Sequence, residues 1–308
     1  MRSFAAAASF AATFASLCAA TILSPQDLPY NHTVKHFDCG VSHSHASHHF
    51  NKTVQALHKN GRMGPHSLSH KAKIHNRQSS GINVDTVFHI ITSTSSAGTI
   101  TQDMANAQIA QMNTMYGPYG ITFNLIGTTF TANDAWAVAS GDDMNALKTS
   151  LRQGTYATLN LYFHTDLAGG ILGTCTLPSD IGPGTPDPSS YVSDGCNVQA
   201  NTMPGGNVLG YNSGMTAVHE TGHWLGLLHV FEGYTCDGDG DLIADTPMQS
   251  MSTAGCPAAG TQDSCPDSPG FDAVNNIMDY STDACYTGFT GLQLQRMHDL
   301  FGQYRSGR

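Results

Sequence analysis

The stretch that most constrains this chain is His219-Glu220-Thr-Gly-His223-Trp-Leu-Gly226-Leu-Leu-His229. On an α-helix, positions i and i+4 share a face. His219 and His223 can therefore aim two imidazoles at one ion. Glu220 lies about 100° round the helix from His219, close enough to reach a water on that ion without ligating it. Glycine at 226 accepts backbone angles that other residues resist and ends the helix there. The chain can then turn and bring His229 in from below. Three neutral imidazoles on Zn²⁺ leave a fourth position to water, the layout of a catalytic rather than a structural site. The metal lowers the pKa of that water towards about 7. Glu220 would take the proton and pass it to a leaving amine. For His219, Glu220 and His223 alone, the competing explanation is a helix with a buried histidine pair. The extension to Gly226 and His229 argues against it.

HExxHxxGxxH followed by a Met-turn is the signature of the metzincin zinc proteases. A turn candidate stands at Asn275-Asn276-Ile277-Met278-Asp279-Tyr280-Ser281, beginning 46 residues after His229. Further matching pieces are 219–233, Ala244-Asp245-Thr246-Pro247, Asp263-Ser264-Cys265-Pro266, Cys285-Tyr286 and the stretch Phe289 to Met297. On these the chain resembles the pappalysin-like metzincins, and among them the fungal secreted metalloproteases. The likeness covers roughly 83–304 and is weak in the first eighty residues. It implies an α/β (α+β) metzincin-like zincin: a mixed twisted sheet with helices above, an active-site helix, the Met-turn and an irregular, disulfide-tied lower half. It also implies zinc on His219, His223 and His229, Glu220 as general base and then acid, and Met278 as an apolar base under the histidines. Tyr280 would hydrogen-bond the oxyanion, on a scale of about 3 kcal/mol; the alternative is a core tyrosine with a satisfied hydroxyl.

Charge is unevenly spread. Residues 81–308 hold 21 Asp plus Glu against five Lys plus Arg, while 21–80 hold two Asp against seven Lys plus Arg and ten of the sixteen His. A basic, His-rich leader beside an acidic remainder suggests electrostatic association, with a solvated tail as the alternative. The acidity argues against nucleic-acid partners. Residues 1–20 read as a secretory signal ending in Cys18-Ala19-Ala20, too weakly apolar for an anchor. Residues 21–80 show no sustained apolar period and read as a pro-segment with a flexible exit, cleaved somewhere in 73–82. The catalytic domain is then 81–308, its upper half 81–226 and its lower half 227–308. In the secretory route Asn31 and Asn51 head N-glycosylation triplets, which also arise by chance. Cys39 stands in Phe37-Asp38-Cys39-Gly40. Latency segments of related metzincins carry a Cys-Gly whose thiolate takes the zinc position that water needs. The match is that dipeptide alone, without a basic context; a free or accidentally paired cysteine is the alternative.

There are eight cysteines. Cys18 leaves with the signal and Cys39 with the pro-segment. Six remain, at 175, 196, 236, 256, 265 and 285, an even number that implies disulfides in a secreted chain. A cysteine zinc site would need a C-x₂-C pair, and none is present. Six cysteines allow 15 pairings. The resemblance implies Cys236–Cys265 and Cys256–Cys285, interleaved across the loop below the active site, with Cys175–Cys196 as the remaining pair.

Periodicity predicts strands over 83–92, 121–126 and 158–164, and helices over 101–116 and from about 142 to 151. Ile109, Met112 and Met115 would form the buried face of the first helix. His164 reads as structural. An edge strand near 171–176 follows; by the resemblance it pairs with extended substrate backbone. Asn212 or Ser213 can cap the active-site helix. Met215, Val218, Trp224 and Leu225 pack that helix on the sheet. Asp237, Asp239, Asp241 and Asp245 alternate with glycines like a Ca²⁺ loop, without the closing glutamate of an EF-hand; a solvated acidic turn is the alternative. Asp245-Thr246-Pro247 matches a family loop that shapes the pocket wall. Thr290 caps a helix from Leu292 to Gln303 whose stripe is Leu294, Met297, Leu300 and Phe301.

The resulting expectation is a secreted, monomeric zinc endopeptidase acting on proteins or peptides, with no membrane partner. A catalytically silent, zinc-stabilised binding module is the alternative, against which an intact Glu220 speaks. A zinc hydrolase of other substrates is a third.

Overall fold

The computed structural model describes residues 37–41, 46–60, 81–182 and 188–308. The signal, Asn31, and the exit and cleavage window as far as residue 80 lie outside the described residues. Strand β1 (Ile82–Thr92) is buried on both faces from Thr86 onward, as a central strand of a parallel sheet should be. On one side it pairs in parallel with β2 (Ile121–Ala132), and on the other with β3 (Leu159–His164). β5 (Cys196–Gln199) runs parallel to β3, and β4 (Gly173–Cys175) closes the edge antiparallel to β5. The order is β2-β1-β3-β5-β4. β2 runs on past residue 126 to Ala132 because its second half stays hydrogen-bonded to β1 after the apolar alternation stops.

Helix α1 (His48–Lys59) adds core within 21–80, where the sequence shows no sustained apolar period. Ser47 caps it by accepting from the Phe50 N–H at 3.1 Å. Phe50 and Val54 are fully buried, and Leu57 is packed beside them. Helix α2 (Gln102–Tyr116) is capped by Thr101 and buries Ala105, Gln108, Met112 and Tyr116. Ile109 and Met115 are only partly buried, so the helix turns a somewhat different face inward from the predicted one. Short helices α3 (Asp134–Val138), α4 (Asp142–Leu151) and α5 (Pro188–Ser193) follow. Helix α6 (Met215–Trp224) is buried along its whole length. Helix α7 (Gly291–Tyr304) begins in a capping box of Thr290 and Gln293. Its inward stripe is Leu292, Met297, Leu300 and Tyr304, with Leu294 and Phe301 at the margin. Among the described residues, no helix is long and apolar enough to cross a membrane.

From Gly226 to Thr290 the chain has little regular structure. Disulfides join Cys236 to Cys265 and Cys256 to Cys285, and a third joins Cys175 to Cys196 across the β4–β5 pair. Buried carboxylates hold these loops. Asp279 accepts from Thr253 N–H (2.9 Å), Thr253 Oγ1 (2.6 Å), Gln249 Nε2 (3.0 Å) and Tyr280 N–H (2.8 Å).

Two histidines serve the sheet rather than any chemistry. His89 lies between Thr129 Oγ1 (2.9 Å) and Asn160 Oδ1 (3.0 Å), and His164 between the Trp136 carbonyl (3.0 Å) and Asn197 Oδ1 (3.4 Å). Burial pushes both pKa values down to about 4. A histidine held neutral keeps its full contribution above its unfolded pKa and loses it as pH falls towards the folded one. Each should therefore withdraw up to about 3 kcal/mol between pH 6.5 and 4. Denaturation midpoints at pH 7 and 4.5 check this: the acid-induced loss should shrink in His89→Gln, and an unchanged loss would refute it.

Candidate active site

α6 starts at Gly214, whose φ of +88° and close approach to the Gln108 amide exclude a side chain. Neither Asn212 nor Ser213 caps the helix. Asn212 Nδ2 donates to the Gly206 carbonyl instead. Asp283 stands at the helix start instead: its Oδ2 accepts from Ser213 N–H (2.7 Å) and Oγ (2.6 Å), just before the first helical residue. A negative group there opposes the positive end of the helix dipole. The helix ends at Trp224. Gly226 then takes φ +99°, with Leu300 pressed where a Cβ would stand.

The turn brings three Nε2 atoms together. His223 Nε2 lies 3.2 Å from that of His219 and 3.1 Å from that of His229. The outer nitrogens face acceptors: His219 Nδ1 the Ile277 carbonyl (2.7 Å), His223 Nδ1 the Leu227 carbonyl (2.8 Å), and His229 Nδ1 the Glu232 carboxylate (3.9 Å). Protons on the Nδ1 atoms leave three Nε2 lone pairs facing one another. Burial also holds all three pKa values below the ordinary range, His223 at about 4. Neutral, mutually facing acceptors, with the second nitrogens of His219 and His223 hydrogen-bonded, suit a divalent cation. This donor set therefore fits a metal. With Cys39 Sγ, the three supply ligand atoms within 4.8 Å of one another, the one such group among the described residues.

Glu220 is fully buried. Its Oε2 lies 3.4 Å from Cys39 Sγ, and its Oε1 has no partner. Burial pushes its carboxyl up to about 8. Gly173 on β4 leaves it room, since a Cβ there would overlap the carboxylate. Met278 is buried, with its Sδ against Gly222, which lies between His219 and His223 on α6. The Tyr280 ring stands 5.0 Å from that of His229. Its hydroxyl accepts from the Cys39 N–H and donates to the Cys39 carbonyl, both at 3.1 Å.

Residues 37–41 lie across this cluster as an added strand. Leu172 N–H donates to the Asp38 carbonyl (2.8 Å), and Gly40 N–H to the Gly173 carbonyl (3.0 Å). Cys39 and Gly173 form a parallel bridge. Phe37, Cys39 and Val41 point inward while Asp38 and Gly40 face out. Cys39 Sγ is also 3.5 Å from His223 Nε2. Burial, then the Glu220 charge, raises its thiol pKa well above the usual value. Sequence reasoning missed Phe37, although it is the one apolar residue immediately before the Asp38-Cys39-Gly40 run.

A second buried network ties α6 and α7 together. Asp194 receives both arms of Arg305, Nη1 to Oδ2 at 3.1 Å and Nη2 to Oδ1 at 3.0 Å. Trp224 Nε1 donates to Oδ2 (3.1 Å) and Thr176 Oγ1 to Oδ1 (2.9 Å). Burial alone would raise the carboxyl, but Arg305 and Arg152 hold it below its ordinary range. The guanidinium of Arg305 also lies 3.6 Å over the Trp224 ring.

The four aspartates after His229 are not gathered into one site. Asp237 and Asp239 are exposed. Asp241 Oδ1 takes the Ile243 N–H (3.0 Å) and Thr246 Oγ1 (2.7 Å). Asp245 takes Thr290 Oγ1 (2.6 Å) and the Leu292 N–H (3.0 Å), at the start of α7. Asn51 lies on α1, half-buried, with its Oδ1 lacking a hydrogen-bond partner, and Thr53 Oγ1 bonds the Tyr304 hydroxyl (2.8 Å).

The Peptidase M43 family, described as pregnancy-associated plasma protein-A, matches residues 155–302. An extracellular metalloprotease of Aspergillus oryzae is 46% identical over 251 residues, covering 73% of this chain and 78% of its own length. One from Sordaria macrospora is 42% identical over 277 residues, covering 89% and 91%. The structure of Tannerella forsythia mature mirolysin in complex with a cleaved peptide superposes with a TM-score of 0.62 at 27% identity, covering 72% of this chain and 92% of that one. Identity of this order across most of both chains, together with the fold, places the protein in the pappalysin-like Peptidase M43 family of metzincins, whose members are metalloendopeptidases.

Proposed function

We propose that the protein is a secreted zinc endopeptidase made as a latent precursor, with His219, His223 and His229 as metal ligands, Glu220 as general base and then acid, and Cys39 as the group that closes the site. The observation that carries the reading is the meeting of three imidazoles, two of them anchored through Nδ1, beside a buried carboxylate with one oxygen unpaired. Zn²⁺ bound there supplies Lewis acidity, activating a water near neutral pH and polarising the scissile carbonyl. Glu220 would take a proton from the attacking water on its carboxylate and deliver it to the departing amine. Tyr280 O–H, now spent on the Cys39 carbonyl, donates to the oxygen on which charge develops. Leu172 N–H and Gly173 C=O, now paired with Asp38 and Gly40, offer the same hydrogen bonds to an extended substrate. The cleaved peptide held by mirolysin and the extracellular naming of the fungal relatives support both the substrate class and secretion.

Casein digestion by the matured protein tests this, with chelator and with Zn²⁺ restored. Cleavage should stop and return. One zinc per chain with no cleavage of any protein would sink the catalytic reading.

Residues 21–80 then act as the pro-segment, removed within 73–82. Cys39→Ala should give an unprocessed precursor that cuts casein or fails to accumulate. Weakening the cover by only about 1.4 kcal/mol raises the open fraction tenfold. Precursor activity compared before processing checks it; a Cys39→Ala precursor as stable and as inactive as wild type would remove the latency role.

A further inference from the structure

Helix α1 is held on the domain by elements that contribute nothing to the histidine cluster. His49 Nδ1 lies 2.9 Å from the Tyr304 hydroxyl, which donates to Thr53 Oγ1 at 2.8 Å. His58 Nδ1 lies 3.2 Å from the Leu242 carbonyl. The seat of the helix is thus the end of α7 and the loop at 239–242. Between these polar ends Phe50 and Val54 are fully buried, in one core with Tyr304, Leu242 and Ile243, and Leu57 packs beside them. Phe50, Val54 and Leu57 stand at i, i+4 and i+7, so the helix offers the seat a single apolar stripe. Charge favours the same fit. Residues 46–60 hold Lys52, Lys59 and three histidines, and no carboxylate. Asp180 Oδ2 lies 3.8 Å from His49 Nε2, and Asp239 Oδ1 lies 3.7 Å from His58 Nε2. One carboxylate therefore stands towards each end of the helix, although Asp180 also takes Arg308 Nη1 at 3.2 Å.

We propose that this seat, once uncovered, is a second docking site of the mature enzyme, and that it takes a basic amphipathic helix of a protein substrate. The inference rests on the proteolytic reading above and on removal of the pro-segment. With α1 in place Tyr304 and Leu242 are 1% and 7% exposed. Loss of α1 leaves them as an apolar strip rimmed by Asp180 and Asp239, on a domain with 21 acidic side chains against five Lys plus Arg. A helix laid on such a strip is recognised by apolar anchors at i, i+4 and i+7, the spacing that α1 itself presents. Docking there keeps the rest of the substrate near the cleft and raises the local concentration of its scissile segment. The gain falls on KM, because the docked helix touches no reacting atom.

Two fusion substrates test this on matured protein freed of its pro-segment. Each carries one extended segment that the enzyme cuts from casein, joined by a short Gly/Ser linker to residues 46–60. In the second substrate, Phe50→Asp and Val54→Asp remove the apolar stripe. The effective concentration is about 1 mM, and the Kd about 0.1 mM for a helix that must order as it binds. The first substrate should then show a KM about tenfold lower than the second, with kcat unchanged. Free 46–60 peptide should abolish that advantage and leave cleavage of the unfused segment as it was. The peptide lacks residues 37–41 and so cannot close the cleft as they do. Equal KM for the two substrates overturns the docking site while proteolysis stands; if labelled 46–60 peptide still binds, the seat serves the pro-segment alone. Absence of metal-dependent cleavage of either substrate removes the proteolytic reading itself, and the substrate site with it.

Discussion

Replacing Glu220 with glutamine is expected to leave one zinc ion bound per chain and to lower kcat/KM by about a hundredfold or more, the scale of positioned acid–base groups. The substitution keeps shape, and shape is constrained here because the side chain is fully buried and rests on Gly173. It changes only the capacity to take and return a proton. The ligand nitrogens keep their outer partners, the carbonyls of Ile277 and Leu227, so metal content should not move. Metal analysis and steady-state kinetics on the same preparation separate the two effects. Full activity in the variant would end the mechanism; loss of metal together with activity would mean that Glu220 holds the ion rather than the proton.

Arg305→Met is expected to destabilise the protein by about 3–5 kcal/mol, because it strands a buried carboxylate. Asp194 is 1% exposed and is held by the two arms of Arg305 on opposite oxygens. Lysine would not restore the pair, since it lacks the planar fork. Removing both partners in Asp194→Asn/Arg305→Met should cost less than Arg305→Met alone. Denaturant midpoints across that cycle decide the matter, and a single-variant loss under about 1 kcal/mol would show that Arg152, 3.4 Å from Asp194 Oδ2, suffices.

The histidine cluster is legible because its geometry is local. His219, Glu220 and His223 belong to one helix, and His229 follows one glycine turn. The strands were legible for the same kind of reason, a short-range alternation. What escaped was contact between distant positions. The carboxylate at the start of α6 comes from Asp283, 70 residues beyond Ser213, and no local rule points to it. The Asp194–Arg305 pair spans 111 residues. α1 was passed over because its apolar face is only Phe50, Val54 and Leu57 among histidines and lysines. The run Asp237 to Asp245 shows the opposite difficulty. Alternating carboxylates and glycines suit an ion or a turn equally, and here Asp245 is engaged at the start of α7 and Asp241 within its own loop. The pairing of the six domain cysteines came from likeness to a family, since arithmetic on their spacing leaves every connectivity open.

The strand that covers the cleft belongs to the same chain as the cleft, and this sets how tightly it must hold. A tethered segment meets its site at an effective concentration of the order of 1 mM. With an intrinsic Kd of about 10 µM it would occupy the cleft about 99% of the time. Were the connection beyond Asn60 cut, as the proposed maturation requires, the same segment would be at its bulk concentration. At about 0.1 µM in the surrounding medium its occupancy falls to about 1%. On the latency proposed above, a modest inhibitor would thus be an effective seal while attached and harmless once severed. Dilution would make the proposed conversion one-way, with no need for the freed segment to be destroyed.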